Sequence, residues 1–155
     1  MKITDLLTKE RIRVVSDVTS KKKALEIMSE MLADEAGGIP AAAVLNRLIG
    51  RERLGSTGLG HGVALPHARL ERLQEARGGF LRLTQGVEFD AFDRQPVDLL
   101  FALVVPEHFT DEHLQILADL AEMFSDQELC QRLRQPIEPD AIFQNLLAWE
   151  AARSS

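Results

Sequence analysis

Residues 97–105 read Val-Asp-Leu-Leu-Phe-Ala-Leu-Val-Val, and this stretch decides the predicted fold. Its last seven residues, Leu99 to Val105, form the longest unbroken apolar run in the chain. Such a run is far shorter than the roughly 20 apolar residues that a membrane-spanning helix needs. A continuous apolar strand is instead typical of the centre of a sheet, where both faces are covered. The stretch therefore predicts a buried sheet with helices packed on it.

The elements around this strand predict an α/β or α+β fold. Alternating or apolar segments predict strands at 11–15, 63–65, 79–84 and 97–105. Apolar residues at helical spacing predict helices at 21–35, at 40–52, at 110–124, between 125 and 136, and from 139 onward. The order is one strand, two helices, three strands and three helices, and this order favours helices packed on a sheet.

Capping and helix-breaking residues set the predicted helix ends. The predicted starts are Ser20, Pro40, Thr110, the capping box Ser125-Asp126-Gln127-Glu128, and Pro139. The predicted stops are Gly37-Gly38 for the first helix and Pro136 for the fourth.

Composition and charge exclude several classes of protein. The chain has 155 residues, a length that suits one domain spanning residues 1–155. The net charge of −6, from 18 basic and 24 acidic residues, argues against a general nucleic-acid binder and against binding to an anionic membrane. The single cysteine, Cys130, excludes an internal disulfide framework and a multi-cysteine metal site, and we expect it in the core. The first residues lack the apolar core of a signal peptide, which predicts a cytoplasmic protein.

The stretch that is most informative about chemistry is residues 51–69, a glycine-rich loop followed by a short strand and a Pro-His pair. Four glycines fall within residues 55–62, so this part is predicted to be a loop that a phosphate can approach closely. Pro66 restricts the backbone so that His67 leaves the strand end in a defined direction. No Gly-Lys-Ser/Thr follows, and the next element is a predicted strand. The loop is therefore neither a nucleotide P-loop nor a dinucleotide fingerprint.

A second histidine, His113, falls in the first turn of the helix that begins after Thr110. It shares one face of that helix with the apolar residues Leu117, Leu120, Ala121 and Phe124. A buried histidine at the positive end of a helix is favoured as a neutral imidazole, and an anion beside it would be stabilised by the free backbone N–H groups. The alternative is a core histidine with a backbone partner.

Positive charge collects around the glycine loop. Residues 47–77 contain six arginines against three glutamates, a local charge of +3 in a chain of −6. Arginine suits bidentate contact with phosphate, although a solvated face of ion pairs is the ordinary alternative. Together with His67 and His113, the arginines predict a histidine that meets phosphate.

The spacing disfavours a metal site and a serine nucleophile. A zinc site could in principle draw on His61, His67, His108, His113, Glu107 and Glu112. The histidine spacings of six and five residues do not suit a helical pair, and no His-Glu-x-x-His motif is present. Ser56 does not stand in a nucleophile-elbow sequence. We therefore predict no metal.

The residues from Arg51 to His67 resemble the active-site signature of a known family. They read Arg-Glu-x-Leu-Gly-Ser-Thr-Gly-x-Gly-x-Gly-x-Ala-x-Pro-His, which is similar to the enzyme IIA domains of the fructose/mannitol/nitrogen class of the phosphoenolpyruvate-dependent phosphotransferase system. The stretches 20–27 and 89–106 look like the stand-alone nitrogen-regulatory subgroup of that family. The likeness covers almost the whole chain, and it implies a three-layer α/β fold with a mixed sheet between helices.

The resemblance also implies roles for individual residues. His67 is expected to accept a phosphoryl group from the phosphohistidine of an HPr-like phosphocarrier protein. The family's second active-site histidine maps onto His113, and its arginine maps onto Arg51. Phosphate-binding or supporting roles are expected for Ser56, Thr57, Gly58 and Arg69. No cofactor is expected, and no role is carried over to His61.

The resemblance leaves three kinds of output open. The first is a phosphocarrier that regulates target proteins through binding that depends on its phosphorylation. The second is a sugar-specific transport IIA component, of the fructose or mannitol type, that passes phosphate to a IIB domain. The third is an interaction module that works without phosphorylation, which loss of His67 or Arg51 would have favoured. Both residues are present.

Overall fold

The apolar run that decides the fold lies at the centre of a mixed sheet. A computed structural model describes residues 2–135 and 138–154. In this part of the chain the strands are β1 (Ile12–Val15), β2 (Gly58–Gly60), β3 (Val63–Ala64), β4 (His67–Leu70), β5 (Arg77–Val87) and β6 (Val97–Pro106). The helices are α1 (Lys21–Leu32), α2 (Ala41–Glu52), α3 (Asp111–Phe124), α4 (Gln127–Leu133) and α5 (Pro139–Ser154), and short 3₁₀ turns precede β1 at Ile3–Leu6 and Lys9–Arg11.

Strand β6 organises the sheet because it pairs along both of its edges. It runs antiparallel to β5 on one side and parallel to β3 and then β4 on the other. Strand β1 is parallel to β5 and β2 is antiparallel to β3, so the order is β1-β5-β6-β3-β2, with β4 also beside β6. Parallel and antiparallel pairs thus occur in one sheet, which confirms the mixed sheet that the resemblance implied.

The side chains on the two faces of β6 pack in two separate hydrophobic cores. Side chains that alternate along a strand point to opposite faces of the sheet. Leu99, Phe101, Leu103 and Val105 pack in one core with α3, α4 and α5, whereas Leu100, Ala102 and Val104 pack in the other with α1 and α2. The sheet is therefore covered by helices on both sides, which confirms the three-layer α/β fold. Cys130 lies on α4 and is buried in the core that α3, α4 and α5 form with the sheet, as predicted.

Two strands lie where the sequence analysis predicted none. Strand β2 lies inside the predicted loop, because its backbone finds a partner in β3 after the chain turns at 61–62. Strand β4 begins at His67 and pairs with the second half of β6. Its alternation of buried Ala68 and Leu70 with exposed Arg69 is a period-2 signal, but it is only four residues long. Strand β5 also extends beyond the predicted 79–84 at both ends.

The first two helices follow their predicted starts, and the first has a different end. The hydroxyl of Ser20 accepts a hydrogen bond from the Lys23 N–H at 3.1 Å, which confirms the N-cap. Helix α1 ends at Leu32 instead of Glu35, because Asp34 and Ile39 exchange two backbone hydrogen bonds of 2.8 Å across a tight turn. These bonds draw the chain out of the helix before the predicted glycine stop.

The helices after β6 also depart from prediction in detail. On α3 the buried face includes Ile116 and Met123, whereas Leu117 and Ala121 are only half-buried. The N-cap of α4 is Asp126, not Ser125. Asp126 Oδ1 accepts from the Leu129 N–H at 3.1 Å, while the Ser125 N–H still donates to Ala121 at the end of α3.

Helix α4 ends at Leu133, and Pro136, the predicted stop, lies outside the described residues. No helix among residues 2–135 and 138–154 combines the length and the apolar character needed to cross a bilayer.

Candidate active site

His67 is held in a single orientation by the strand that it begins. It is the first residue of β4, directly after Pro66 and beside Leu103 of β6. Its Nδ1–H donates a hydrogen bond of 2.8 Å to the backbone carbonyl of Leu65. Because a carbonyl oxygen only accepts, this bond places the ring proton on Nδ1 and leaves the lone pair on Nε2. Nε2 of His67 is therefore available as a nucleophile.

His113 lies directly against His67, although it comes from a different layer of the fold. The two ring centroids are 5.4 Å apart and the rings meet edge to face at 76°. His113 is only 7% exposed, as its place on the buried face of α3 predicted. Its Nε2 is buried and has no hydrogen-bond partner among the described residues. A buried polar atom without a partner is costly, and here it belongs to the ring that contacts the ring of His67.

Burial keeps both rings neutral near pH 7. Loss of solvent is the largest cause that lowers the pKa of His67; Arg51 lowers it further, while the bond to Leu65 and the charge of Glu52 oppose the change. Burial likewise lowers the pKa of His113, with help from the charges of His67 and Arg69, from 6.5 to about 4. A neutral imidazole is the form that can attack an electrophile or donate one N–H without bringing a second positive charge.

The two histidines open onto one depression of about 710 Å³, together with Arg51 and Arg69, the two arginines given individual roles, and with Arg47. Arg51 is in the last turn of α2, where its Nη1 donates to the Gly55 carbonyl at 2.9 Å. Arg69 is exposed on β4, two residues after His67 and so on the same side of the strand. Four of the sequence-predicted site residues, His67, His113, Arg51 and Arg69, are thus brought together.

Ser56, Thr57 and Gly58 do not line this depression. The Ser56 hydroxyl donates to the Phe89 carbonyl at 2.8 Å and accepts from the Gly58 N–H. Both the N–H and the hydroxyl of Thr57 donate to the Glu52 carboxylate. The polar groups of these residues thus bond within the protein and support the loop, and their contact with phosphate stays a prediction.

Gly58 supports the loop by its lack of a side chain. A Cβ at this position would lie 2.8 Å from the Cβ of Ala91, closer than two such carbons normally approach. The absence of a side chain thus lets the loop pack against residue 91.

Sequence reasoning missed two residues near the site, Glu52 and Arg47. Arg47 donates from Nε to the Arg69 carbonyl at 2.9 Å and from Nη2 to Glu107 at 3.0 Å. Glu52 stands next to Arg51 in the quoted signature, so its position was visible, but only the structure shows that Thr57 is its partner.

The remaining histidines do not line the depression. His61 is exposed in a turn near the opposite end of β6, and its N–H donates to Asp93 at 2.9 Å. His108 is exposed and its ring meets that of Phe109. Among the described residues, no three His, Cys, Asp or Glu side chains are grouped so that they could hold a metal ion.

Comparison with known proteins defines the class to which this fold and site belong. The profile of the family described as "Phosphoenolpyruvate-dependent sugar phosphotransferase system, EIIA 2" matches residues 5–148, and the chain belongs to this family. It is 40% identical to the nitrogen regulatory protein of Escherichia coli K12 over 145 residues. These residues are 93% of this chain and 88% of the relative. A nitrogen regulatory protein of Bradyrhizobium diazoefficiens is 41% identical over 143 residues, which are 92% and 93% of the two chains.

Solved structures agree with these relatives. The nitrogen regulatory protein IIA-Ntr from Neisseria meningitidis superposes with a TM-score of 0.86 at 39% identity, over 93% of this chain and 98% of the other. IIA mannitol from Escherichia coli has a TM-score of 0.75 at 23% identity, over 90% and 98% of the two chains. The second likeness shows the shared fold alone.

Proposed function

We propose that this protein accepts a phosphoryl group on Nε2 of His67 from the phosphohistidine of an HPr-like carrier. The observation that carries the proposal is the hydrogen bond from Nδ1–H to the Leu65 carbonyl, which leaves Nε2 as the free nucleophile. As the new N–P bond forms at Nε2, the bond from phosphorus to the carrier nitrogen breaks and its electron pair returns to the carrier imidazole. The ring of His67 keeps its Nδ1 proton and gains positive charge, which the Leu65 carbonyl stabilises.

The groups around His67 suit the charge of the transferred group. A phosphoryl group in transit carries negative charge on three oxygens, so its transfer depends on positioning and on hydrogen-bond donors. Arg51 and Arg69 bring two guanidinium groups to the same depression, and His113 can present an N–H at its unpartnered Nε2. The phosphohistidine of the carrier and the phosphohistidine formed on His67 are both phosphoramidates of similar energy. The proposed transfer therefore needs no cofactor or metal.

We further propose that the output of this transfer is regulation of target proteins. The two relatives described above as nitrogen regulatory proteins are 40% and 41% identical, and each is covered over most of its length. A relative named fructose-specific EIIA component, from Haloferax volcanii, is 30% identical over 136 residues, 86% of this chain and 88% of that relative. A fold neighbour at 22% identity was solved as a complex of enzyme IIA mannitol with phosphorylated IIB, so transport through a IIB domain is the second candidate. The identities favour regulation over transport.

A direct labelling experiment tests the transfer. The protein is incubated with phosphoenolpyruvate, enzyme I and an HPr-like carrier, and the intact mass is measured with and without acid treatment. We expect one phosphoryl group on the parent and none on His67→Ala at any carrier concentration. His113→Ala and Arg51→Ala should each slow labelling by about 10²–10³, by analogy with the loss of one oxyanion donor. Arg51→Lys should fall between Arg51→Ala and the parent, because it keeps the charge but loses the planar fork.

The matched control for this series is His108→Ala, since His108 is exposed and does not line the depression. We expect it to be labelled at the rate of the parent. Labelling of His67→Ala together with complete loss in His113→Ala would show that the roles of the two histidines are reversed.

A further inference from the structure

Behind the loop that follows α2 lies a buried carboxylate that the proposed reaction does not use. Glu52 is the last residue of α2, and its side chain is only 5% exposed. A buried carboxylate is strongly unfavourable unless it is paired and hydrogen-bonded. Here Lys21 Nζ lies 3.0 Å from Oε2, the Thr57 N–H lies 3.2 Å from each oxygen, and the Thr57 hydroxyl donates to Oε1. Both carboxylate oxygens are thus occupied by donors of this protein.

The partner cation ties this carboxylate to two further segments. Lys21 is the first residue of α1, and its Nζ also donates to the Phe89 carbonyl at 3.3 Å and lies 4.5 Å above the centre of the Phe89 ring. The same carbonyl accepts from the Ser56 hydroxyl at 2.8 Å. The start of α1, the end of α2, the glycine loop and the segment after β5 therefore meet around one ion pair.

The contact between Glu52 and Thr57 closes a small ring of chain that contains the partner of Arg51. Inside the ring, Gly55 has φ of +149°, a backbone conformation that other residues rarely adopt. The carbonyl of Gly55 accepts the hydrogen bond of 2.9 Å from Arg51 Nη1. If the ring opens, this carbonyl is free to move, and the guanidinium loses the contact that orients it at the edge of the depression.

We propose that Glu52 is a positioning residue for phosphoryl transfer, which acts by holding Gly55 and thereby Arg51 in place. The inference rests on the proposed function, because it assigns Arg51 to the phosphoryl group. Glu52 does not line the depression that contains His67, so it acts through Arg51 and not through contact with phosphate. Its charge nevertheless opposes that of Arg51 in setting the pKa of His67, which is consistent with its place directly behind the site.

The smallest change that weakens the closure of the ring is Thr57→Val, which removes the hydroxyl bond to Glu52 but keeps the shape of the side chain and the backbone N–H bonds. We expect the kcat for transfer from the phosphorylated carrier to fall by about 10- to 100-fold, since a small misplacement of a catalytic group has effects of this size. Thr57→Ser keeps the hydroxyl and should stay within about twofold of the parent. Glu52→Gln removes the charge that pairs with Lys21, and it should lower kcat at least as much as Thr57→Val does.

A double-mutant cycle separates positioning from a general structural effect. If Thr57 and Glu52 act through Arg51, then Thr57→Val should change kcat by less than about twofold when Arg51 is already alanine. Ser29→Ala is the matched control. It also removes a buried hydroxyl group, which donates a hydrogen bond of 2.8 Å to the Leu25 carbonyl, but Ser29 does not line the depression. It should transfer phosphate at the parent rate.

The outcomes distinguish this inference from the proposed function. Fluorescence of Trp149 establishes that each variant is folded at the assay temperature, and if Glu52→Gln does not fold, the pair Thr57→Val and Thr57→Ser decides the question. A parent that is labelled and a Thr57→Val that matches it would overturn the positioning role alone. If Thr57→Val lowers kcat by the same factor in the parent and in Arg51→Ala, the positioning role is also overturned. A parent that accepts no phosphoryl group would refute the proposed function and this inference with it.

Discussion

Acid should destabilise this protein through His113. The substitution His113→Phe should prevent most of this decrease in the free energy of unfolding. Burial and neighbouring positive charge lower the pKa of His113 from 6.5 to about 4 in the folded state. The unfolded chain has the ordinary histidine pKa, so between these two values the unfolded state binds a proton that the folded state does not. The stability is therefore complete above the ordinary pKa and decreases as the pH falls toward about 4.

The size of the effect follows from the two pKa values. One unit of pKa difference corresponds to about 1.4 kcal/mol, so acidification from about pH 7 to about pH 4.5 should remove about 2 kcal/mol through His113. His113→Phe abolishes this titration and keeps an edge-to-face ring contact with His67. It also removes the buried Nε2 that lacks a partner among the described residues, a defect that typically costs about 1–3 kcal/mol. We therefore expect the variant to be at least as stable as the parent at neutral pH and to accept the phosphoryl group more slowly.

Chemical unfolding followed by tryptophan fluorescence measures this effect. Trp149 is the one tryptophan of the chain, and its Nε1–H donates to Asp126 at 2.8 Å in the folded state. The free energy of unfolding is compared at the two pH values for the parent, for His113→Phe and for the control His108→Phe at an exposed site. The pKa of His67 is also lowered, so part of the acid loss should remain in every variant. If His113→Phe loses as much free energy on acidification as the parent, the assignment of a buried, neutral His113 is wrong.

Three further predictions concern the transferred group. The label should be lost in acid and survive base, as a phosphoramidate does, and an acid-stable phosphate on Ser56 or Thr57 would contradict the assignment to His67. Because burial lowers the pKa of His67, the single-turnover rate of labelling should be constant at neutral pH and fall only below about 6.5, the ordinary histidine pKa. A fall that begins well above that value would show that the imidazole is not the titrating nucleophile. Chelators should leave labelling unchanged and elemental analysis should find no stoichiometric zinc; zinc that binds tightly and is lost in His67→Ala would support a metal site instead.

Much of the fold could be predicted because its signals are local. The run from Leu99 to Val105 has no polar residue, and seven consecutive apolar residues favour a strand that is covered on both faces. The start of α1 was predictable because Ser20 and the Lys23 N–H are only three residues apart. Elements whose signal lies within one turn or one strand are therefore accessible from sequence.

Elements that depend on a distant partner were not predictable. Strand β4 has four residues, too few for a strong pattern, and it exists because the second half of β6 offers it an open edge. Strand β2 is glycine-rich and forms because β3 lies beside it. The early end of α1 depends on the exchange of hydrogen bonds between Asp34 and Ile39, which propensity does not reveal.

The sequence by itself determined which groups are available at the site: a histidine after a proline, a second histidine at a helix start, and arginines around a glycine loop. The tertiary structure decided how these groups are used. It set the tautomer of His67 through the Leu65 carbonyl, buried His113 against it, and directed the Thr57 hydroxyl to Glu52. The physical reason is that a pKa, a tautomer and the satisfaction of a hydrogen bond depend on burial and on partners in space. Those partners come from α2, from α3 and from the segment between β3 and β4, which folding brings together.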